Sequence, residues 1–427
     1  MQLSRMLKDN GIVDDVLGSH PDPIVAETFL RCLGNTLDTT VRPMPDGTNF
    51  VVTGDIPAMW LRDSTTQLLP YLVLMPESVP LQDALFGVLR RQLAYIEIDP
   101  YANAFNAEPN GAAHDSNDLS DDPWVWERKY EVDSLAFPIN LAYRLWRSTG
   151  RTQHFDATFV RVARRVLEVW RVEQDHETAS AYRFVRTDCP PSDTLVRDGR
   201  GSPVSRTGMT WSGFRPSDDA CAFGYNIPAN LFAATVLRQV SAISREVLHD
   251  ELLAVEADRL RDELRAGVEE HGTVRHPRWG TIYAYEVDGM GNRLLMDDAN
   301  MPSLLSTPLF DDELDDDVYR ATRAFALSDD NPYFFRGRAA CGIGSPHTPH
   351  GFIWPIALAV QGLTSHSPQE KRAMLELLCE TDAGTGLMHE SFDKDDAARY
   401  TRPWFSWANA MFCLLVLDAH GHPLPPG

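Results

Sequence analysis

Residues 246–268, EVLHDELLAVEADRLRDELRAGV, carry the signal that decides the fold class. Leu253, Ala257, Leu260 and Leu264 recur at helical spacing and make one apolar stripe, while Arg and Glu occupy the opposite face. The same spacing recurs in Phe86, Leu89, Leu93 and Ile96, and in Phe159, Val162, Val166 and Trp170. Apolar helical runs follow at Leu135–Trp146, Ile353–Leu363 and Trp407–Leu417. Strand signals are few. Tyr182–Arg186 reads as one, and Thr281–Val287 and Arg293–Met296 flank Asp288-Gly-Met-Gly-Asn292, whose glycines suit a hairpin turn. No regular β-then-α alternation is present, so neither a dinucleotide-binding fold nor a parallel β/α barrel is favoured.

The segments between the helices are unusual. Trp, Pro, Gly, Arg and Asp cluster at Gly54–Ser64, Trp124–Asp133, Trp211–Tyr225, Asp297–Ser306, Gly342–Pro355, Gly386–Phe392 and Thr401–Trp407. Loops that only connect are usually small and polar; loops rich in aromatics and carboxylates line pockets. This pattern predicts a helical toroid whose loops gather on one face. The polar stretch from Asn103 to Asp122 is long enough to be a functional loop.

Composition bounds the function. The 427 residues carry 39 basic and 61 acidic side chains, a formal charge of −22, which argues against nucleic acid or an anionic membrane as a partner. The longest nearly unbroken apolar run, Phe352 to Val360, is too short to cross a bilayer, and the N-terminal stretch lacks the apolar core of a signal peptide. A cytoplasmic protein is therefore expected. Six scattered cysteines form no C-x-x-C pair and argue against a zinc ribbon or a disulfide framework. The acidic run Asp311–Asp317 lacks the glycine and terminal glutamate of an EF-hand and reads as a solvated loop entering a helix.

A pocket lined by aromatic and carboxylate groups suits a sugar. Ring faces stack on pyranose C–H groups, and cleaving a glycosidic bond requires two carboxyl groups. Asp218 and Asp219, beside Phe214 and Pro216, are one candidate source of an acid; the same residues also read as a helix start capped by Ser217. Glu390, between His389 and Ser391 after a glycine loop, is a candidate for orienting water. Asp55, Arg62 and Asp63 beside Trp60 suit hydroxyl recognition, or an ion pair that holds a loop. His347 and His350 lack a third ligand at convincing spacing, so hydrogen bonding is preferred to metal binding.

Seven stretches, TGDIPAMWLRDS (53–64), WVWERKYEVDSLAFPI (124–139), GFRPSDDACAFGYNIPAN (213–230), DDANMPSLLS (297–306), GIGSPHTP (342–349), IWPIAL (353–358) and GLMHESF (386–392), together resemble glycoside hydrolase family 125, the exo-acting α-1,6-mannosidases. They run in order over most of the chain. The resemblance implies an all-α, (α/α)6 barrel with short β-hairpins in its loops, as a single catalytic domain over residues 1–427. It implies metal-independent hydrolysis with inversion, without a cofactor, of a mannose-containing oligosaccharide by a monomer or weak oligomer. Asp218 would be the general acid, with Asp219 as the alternative, and Glu390 the general base. Arg62, Asp63, Asn300, His347 and His389 would bind the terminal mannose or order the site, alongside Asp55 and Trp60. The competing expectations are another enzyme on the same barrel (a glucosidase, phosphorylase or epimerase) and a non-catalytic sugar-binding protein.

Overall fold

The computed structural model of the chain describes residues 3–7, 10–115, 120 and 122–427. Helices dominate it, and the described strands are short antiparallel pieces in the segments between helices. The chain divides into two compact units, each discontinuous in sequence. The first comprises residues 1–91, 144–151 and 332–426; the second comprises residues 92–143, 152–331 and the terminal Gly427.

In the first unit the helix Ser406–Ala419 is the centre of packing. It touches Pro23–Asn35, Leu69–Leu74, Pro355–Leu363 and Pro368–Glu380. Trp407 to Leu417 are all buried, which is why this run shows no polar face: a helix covered all round needs none. Proline at the first turn of all four of these neighbours fixes φ where a backbone N–H would lack a helical partner anyway.

In the second unit Ile227–Ile243 packs on Glu251–His271, which also meets Ala157–Glu173. Leu253, Ala257, Leu260 and Leu264 are fully buried, as are Phe159, Val162, Val166 and Trp170. Each such leucine contributes about 1.5–3 kcal/mol of transfer free energy. The pattern read from Glu246 is nevertheless two elements. Ser244–Leu248 closes the preceding helix as a π turn, His249 turns left-handed (φ 56°), and Asp250 caps the next helix by accepting the Leu253 N–H at 3.1 Å. A local cap satisfies an orphan donor that helix continuation would have had to supply otherwise, so the break costs little.

The hairpin around residues 288–292 forms as expected. Val287 faces Arg293 and Glu286 faces Leu294, Gly289 and Gly291 have φ of 74° and 107°, and Asp288 Oδ1 accepts the N–H groups of Met290 and Asn292. The expected single strand Thr281–Val287 is instead two: Gly280–Tyr283 pairs with Thr273–His276, while Glu286–Val287 also pairs with Tyr225–Asn226. Tyr182–Arg186 is extended but joins no ladder. Its Phe184 N–H is taken by the Gly199 carbonyl and its Tyr182 hydroxyl by the Arg128 carbonyl.

The acidic run is only partly solvated. Asp315 caps the helix Asp316–Ala326, but Asp311 is buried and accepts from Arg265 at 2.5 Å. In the polar stretch after Asn103, Asn106 Nδ2 ties the Ala112 and Pro123 carbonyls together at 2.7 and 3.0 Å. Residues 116–119 and 121 of that stretch lie outside the described residues. Among the described residues no helix is long and apolar enough to cross a membrane.

Candidate active site

In the second unit, Asp218 and Asp219 do not begin a helix. Phe214 and Ala220 form an isolated antiparallel bridge that pins the neck of a tight loop. Within it Pro216 occupies the position of a β-turn that its fixed φ favours, and the turn closes by the Asp218 N–H donating to the Arg215 carbonyl at 2.9 Å. Arg215 N–H returns to the Asp219 carbonyl at 2.8 Å. The Ser217 cap signature loses to this turn, and the next helix starts later, at Ile227, capped by Asn226. Asp218 itself is left-handed, with φ 66°. Outside glycine that region costs about 1 kcal/mol or more, although aspartate tolerates it better than most residues. The backbone reversal leaves the Asp218 residue half-buried while Asp219 is buried.

Charged groups brace this loop from below. Arg215 Nε lies 2.5 Å from Glu286 Oε1, whose other oxygen accepts the Phe223 N–H at 2.9 Å. The buried Lys129 donates to the Asp218 main-chain carbonyl at 2.8 Å and to Asp193 Oδ1. Arg186 bridges Asp193 and Glu127 at 2.8 and 2.9 Å. Burial alone would push the Lys129 ammonium down, but Glu127, Asp218 and Asp193 hold it above the usual lysine range.

Asn300 N–H and Nδ2 both donate to Asp298 Oδ1, at 3.1 and 3.0 Å. Asp298 is fully buried, and burial raises its carboxyl; the Asn300 bonds and Arg215 pull it down, and Asp219 pushes it up. Asn300 is thus held by Asp298, a residue that sequence reasoning did not single out.

In the first unit, Glu390 lies between two fixed neighbours. Met388 N–H donates to Asn409 Oδ1 at 2.8 Å, and Ser391 N–H to Thr401 Oγ1 at 3.2 Å. His389 is buried, with Nδ1 2.8 Å from the Arg402 carbonyl, Nε2 3.1 Å from the Asp382 carbonyl and its ring stacked on Tyr400. Both ring nitrogens face backbone carbonyls, so His389 ties the Glu390 loop to Arg402 and Asp382. Arg402 joins Glu390 to Asp55, with Nε 3.4 Å from Glu390 Oε1 and Nη1 3.6 Å from Asp55 Oδ1.

Trp60 is buried just before the short helix Leu61–Thr66, which carries Arg62 and Asp63. Arg62 Nε stands 3.5 Å from Asp63 Oδ2, and its guanidinium lies over the Trp407 ring at 5.8 Å. His347 is exposed, its ring 6.4 Å from that of Trp354. The structure therefore brings Asp55 to Glu390 through Arg402, and Asn300 to Asp298. Arg402, Lys129, Arg215 and Glu286 were missed as individual residues. Lys129 and Arg402 lie in loops that stand out for their aromatics, and Lys129 is one of only four lysines.

Among the described residues no group of three or more His, Cys, Asp or Glu side chains could hold a metal ion. A cavity of about 910 Å3 in the first unit, lined in part by His20, His366, Lys371, Arg372 and His420, contains none of the residues named from the sequence. Two candidate carboxylates are each presented by a hydrogen-bonded segment, Asp218 in the second unit and Glu390 in the first.

Comparison with known proteins identifies the family. The family model for metal-independent α-mannosidases, GH125, matches residues 22–417. A solved metal-independent α-mannosidase from Streptococcus pneumoniae, in a non-productive substrate complex with α-1,6-mannobiose, is 48% identical with a TM-score of 0.92, over 95% of this chain and 96% of that one. The meiotically up-regulated gene 157 protein of Schizosaccharomyces pombe is 39% identical over 95% of this chain and 84% of its own length. A bacterial glucoamylase complexed with acarbose, 12% identical, shares the fold alone, with a TM-score of 0.58 over 96% of this chain and 57% of that one. The fold class is all-α, an (α/α)6 barrel with short β-hairpins in its loops, as in these glycosidases. The protein is a glycoside hydrolase, and the chain belongs to family 125, the metal-independent α-mannosidases.

Proposed function

We propose that the protein removes non-reducing terminal mannose from α-1,6 linkages and inverts the anomeric configuration as it does so. The observation that carries the linkage is the α-1,6-mannobiose held by the relative that is 48% identical over 95% of this chain. A single catalytic domain spanning the chain is part of the same reading, supported by a family match that runs from 22 to 417 across both compact units. Residence in the cytoplasm is supported by six free thiols, three of them buried.

In this reading Asp218 donates its proton to the glycosidic oxygen as the bond to the anomeric carbon breaks. Glu390 takes a proton from the water that attacks the opposite face of the ring, so one O–H is lost and one gained. The left-handed backbone at Asp218 and the pairing of Glu390 with Arg402 support these roles, because a proton donor and a base both need a fixed direction of approach. Asp55, Trp60, Arg62, Asp63, Asn300, His347 and His389 are assigned to recognition of the terminal sugar or to ordering the site. Rigid, buried Arg62 and Asp63 suit bidentate hydroxyl contacts, and Trp60 supplies an apolar wall.

The test is linkage specificity. Purified protein with α-1,2-, α-1,3- and α-1,6-mannobiose is expected to release mannose rapidly from the last alone. Equal or faster release from another linkage contradicts the assignment.

A further inference from the structure

Lys129 is placed where a lysine is costly. Its side chain is 3% exposed, in a protein with only four lysines, and it lies over the Phe214 ring at 5.2 Å. A buried ammonium is stable only when its donors are used and its charge is balanced. Here Asp193 Oδ1 takes one donor, Glu127 Oε1 lies at 3.7 Å, and Arg186 completes the cluster by binding both carboxylates. The remaining short contact, 2.8 Å, goes to the main-chain carbonyl of Asp218, the one residue of its loop recorded with a positive φ.

That contact matters because of what the left-handed conformation does. An aspartate at φ 66° has no large penalty for returning to the common right-handed or extended regions, and either change would swing its carboxyl away. A main-chain bond to a buried, doubly anchored ammonium resists the change. It fixes the peptide that follows Asp218 without occupying the carboxyl oxygens. Asp193 and Glu127 in turn fix the ammonium.

We propose that Lys129 is a positioning residue for the general acid: by binding the Asp218 carbonyl it holds that carboxyl in line with the glycosidic oxygen. The proposal rests on Asp218 being the acid. It adds that the acid's aim is set by a residue from the Trp124–Asp133 loop, anchored through Asp193.

The test exploits leaving-group chemistry. A sugar alkoxide needs a proton to depart, whereas 2,4-dinitrophenolate does not. In Lys129→Met, kcat/KM for α-1,6-mannobiose is expected to fall about 100-fold, with most of the loss in kcat, while kcat/KM for 2,4-dinitrophenyl α-mannoside changes by less than about 5-fold. A general loosening of the fold would lower both. Equal loss on the two substrates, or loss on neither, overturns the proposal. Asp218→Asn is measured alongside. If it shows the split and Lys129→Met does not, the role of Lys129 fails and the acid assignment stands; if Asp218→Asn loses both substrates equally, the acid assignment fails and the proposal with it. Should Lys129→Met not fold, Asp193→Asn removes the other anchor at a more exposed position. It is read on the same two substrates, with a split of about 10-fold expected and equal loss or no loss overturning the proposal.

Discussion

The guanidinium of Arg402 stands 3.4 Å from Glu390, its Nε facing Oε1 of a carboxylate that is otherwise nearly enclosed. The same side chain reaches the exposed Asp55. Arg402 follows the Ser391–Thr401 contact that anchors the loop, and its carbonyl receives the His389 ring. The proposed base is therefore tied by side chain and by main chain to one short segment, residues 400–402.

Replacing Arg402 by Ala should lower kcat on α-1,6-mannobiose by about 10- to 100-fold, with a smaller change in KM, because the loss falls on the direction of Glu390. Lys at 402 should recover part of it, since a point charge supplies attraction without the planar geometry. Steady-state kinetics on the purified variants checks this. A KM-only effect would place Arg402 in sugar binding.

The two adjacent aspartates should separate cleanly. Asp218→Asn should cost about a thousandfold or more in kcat, and Glu390→Gln about as much, while Asp219→Asn should cost about 10-fold or less because Asp219 is buried behind the turn. Circular dichroism on each variant establishes that the fold is intact. Near-wild-type turnover in folded Asp218→Asn, with severe loss in Asp219→Asn, would reverse the assignment.

Inversion requires space for water. In a crystal structure with a mannoside bound, the Asp218 and Glu390 carboxyl groups should lie about 6.5–9.5 Å apart; a separation of about 5–5.5 Å belongs to retention.

Acid stability offers a check away from the chemistry. Glu177 accepts both terminal nitrogens of Arg197 at 2.7 and 2.8 Å, and this pairing, against the pull of burial, takes its carboxyl from 4.5 down to about 2. The folded value lies below the unfolded one, so the contribution is full above pH 4.5 and is lost as pH falls through about 2. After solvent screening it amounts to about 1 kcal/mol. Glu177→Gln should melt at a lower temperature near neutrality and lose part of the wild-type acid dependence in that window. An unchanged dependence would show that the pair contributes nothing.

Long periodic helices were legible because burial of one face imposes the period directly: Phe159, Val162, Val166 and Trp170 are all in the core. The hairpin at Asp288–Asn292 was legible because positive φ demands its glycines. The break at His249 was not, since the apolar stripe continues across a point where one aspartate cap decides the chain's path. At the candidate site, the proposed carboxylates were named from loop composition and from the resemblance to family 125. Their supports could not be. Lys129 meets Asp218, and Arg215 meets Glu286, only after the fold has joined segments far apart in sequence. His389 was expected to bind the terminal mannose or order the site; that both its nitrogens face backbone carbonyls could not be read from its neighbours in sequence.

The most direct test of the central claim is to follow product anomers by proton NMR as the purified protein, with EDTA present, acts on α-1,6-mannobiose. The account predicts that β-mannose appears first and mutarotates only later, at a rate unchanged by the chelator. Early α-mannose would contradict inversion and the pairing of Asp218 with Glu390 as acid and base, and loss of activity with EDTA would contradict metal-independent hydrolysis.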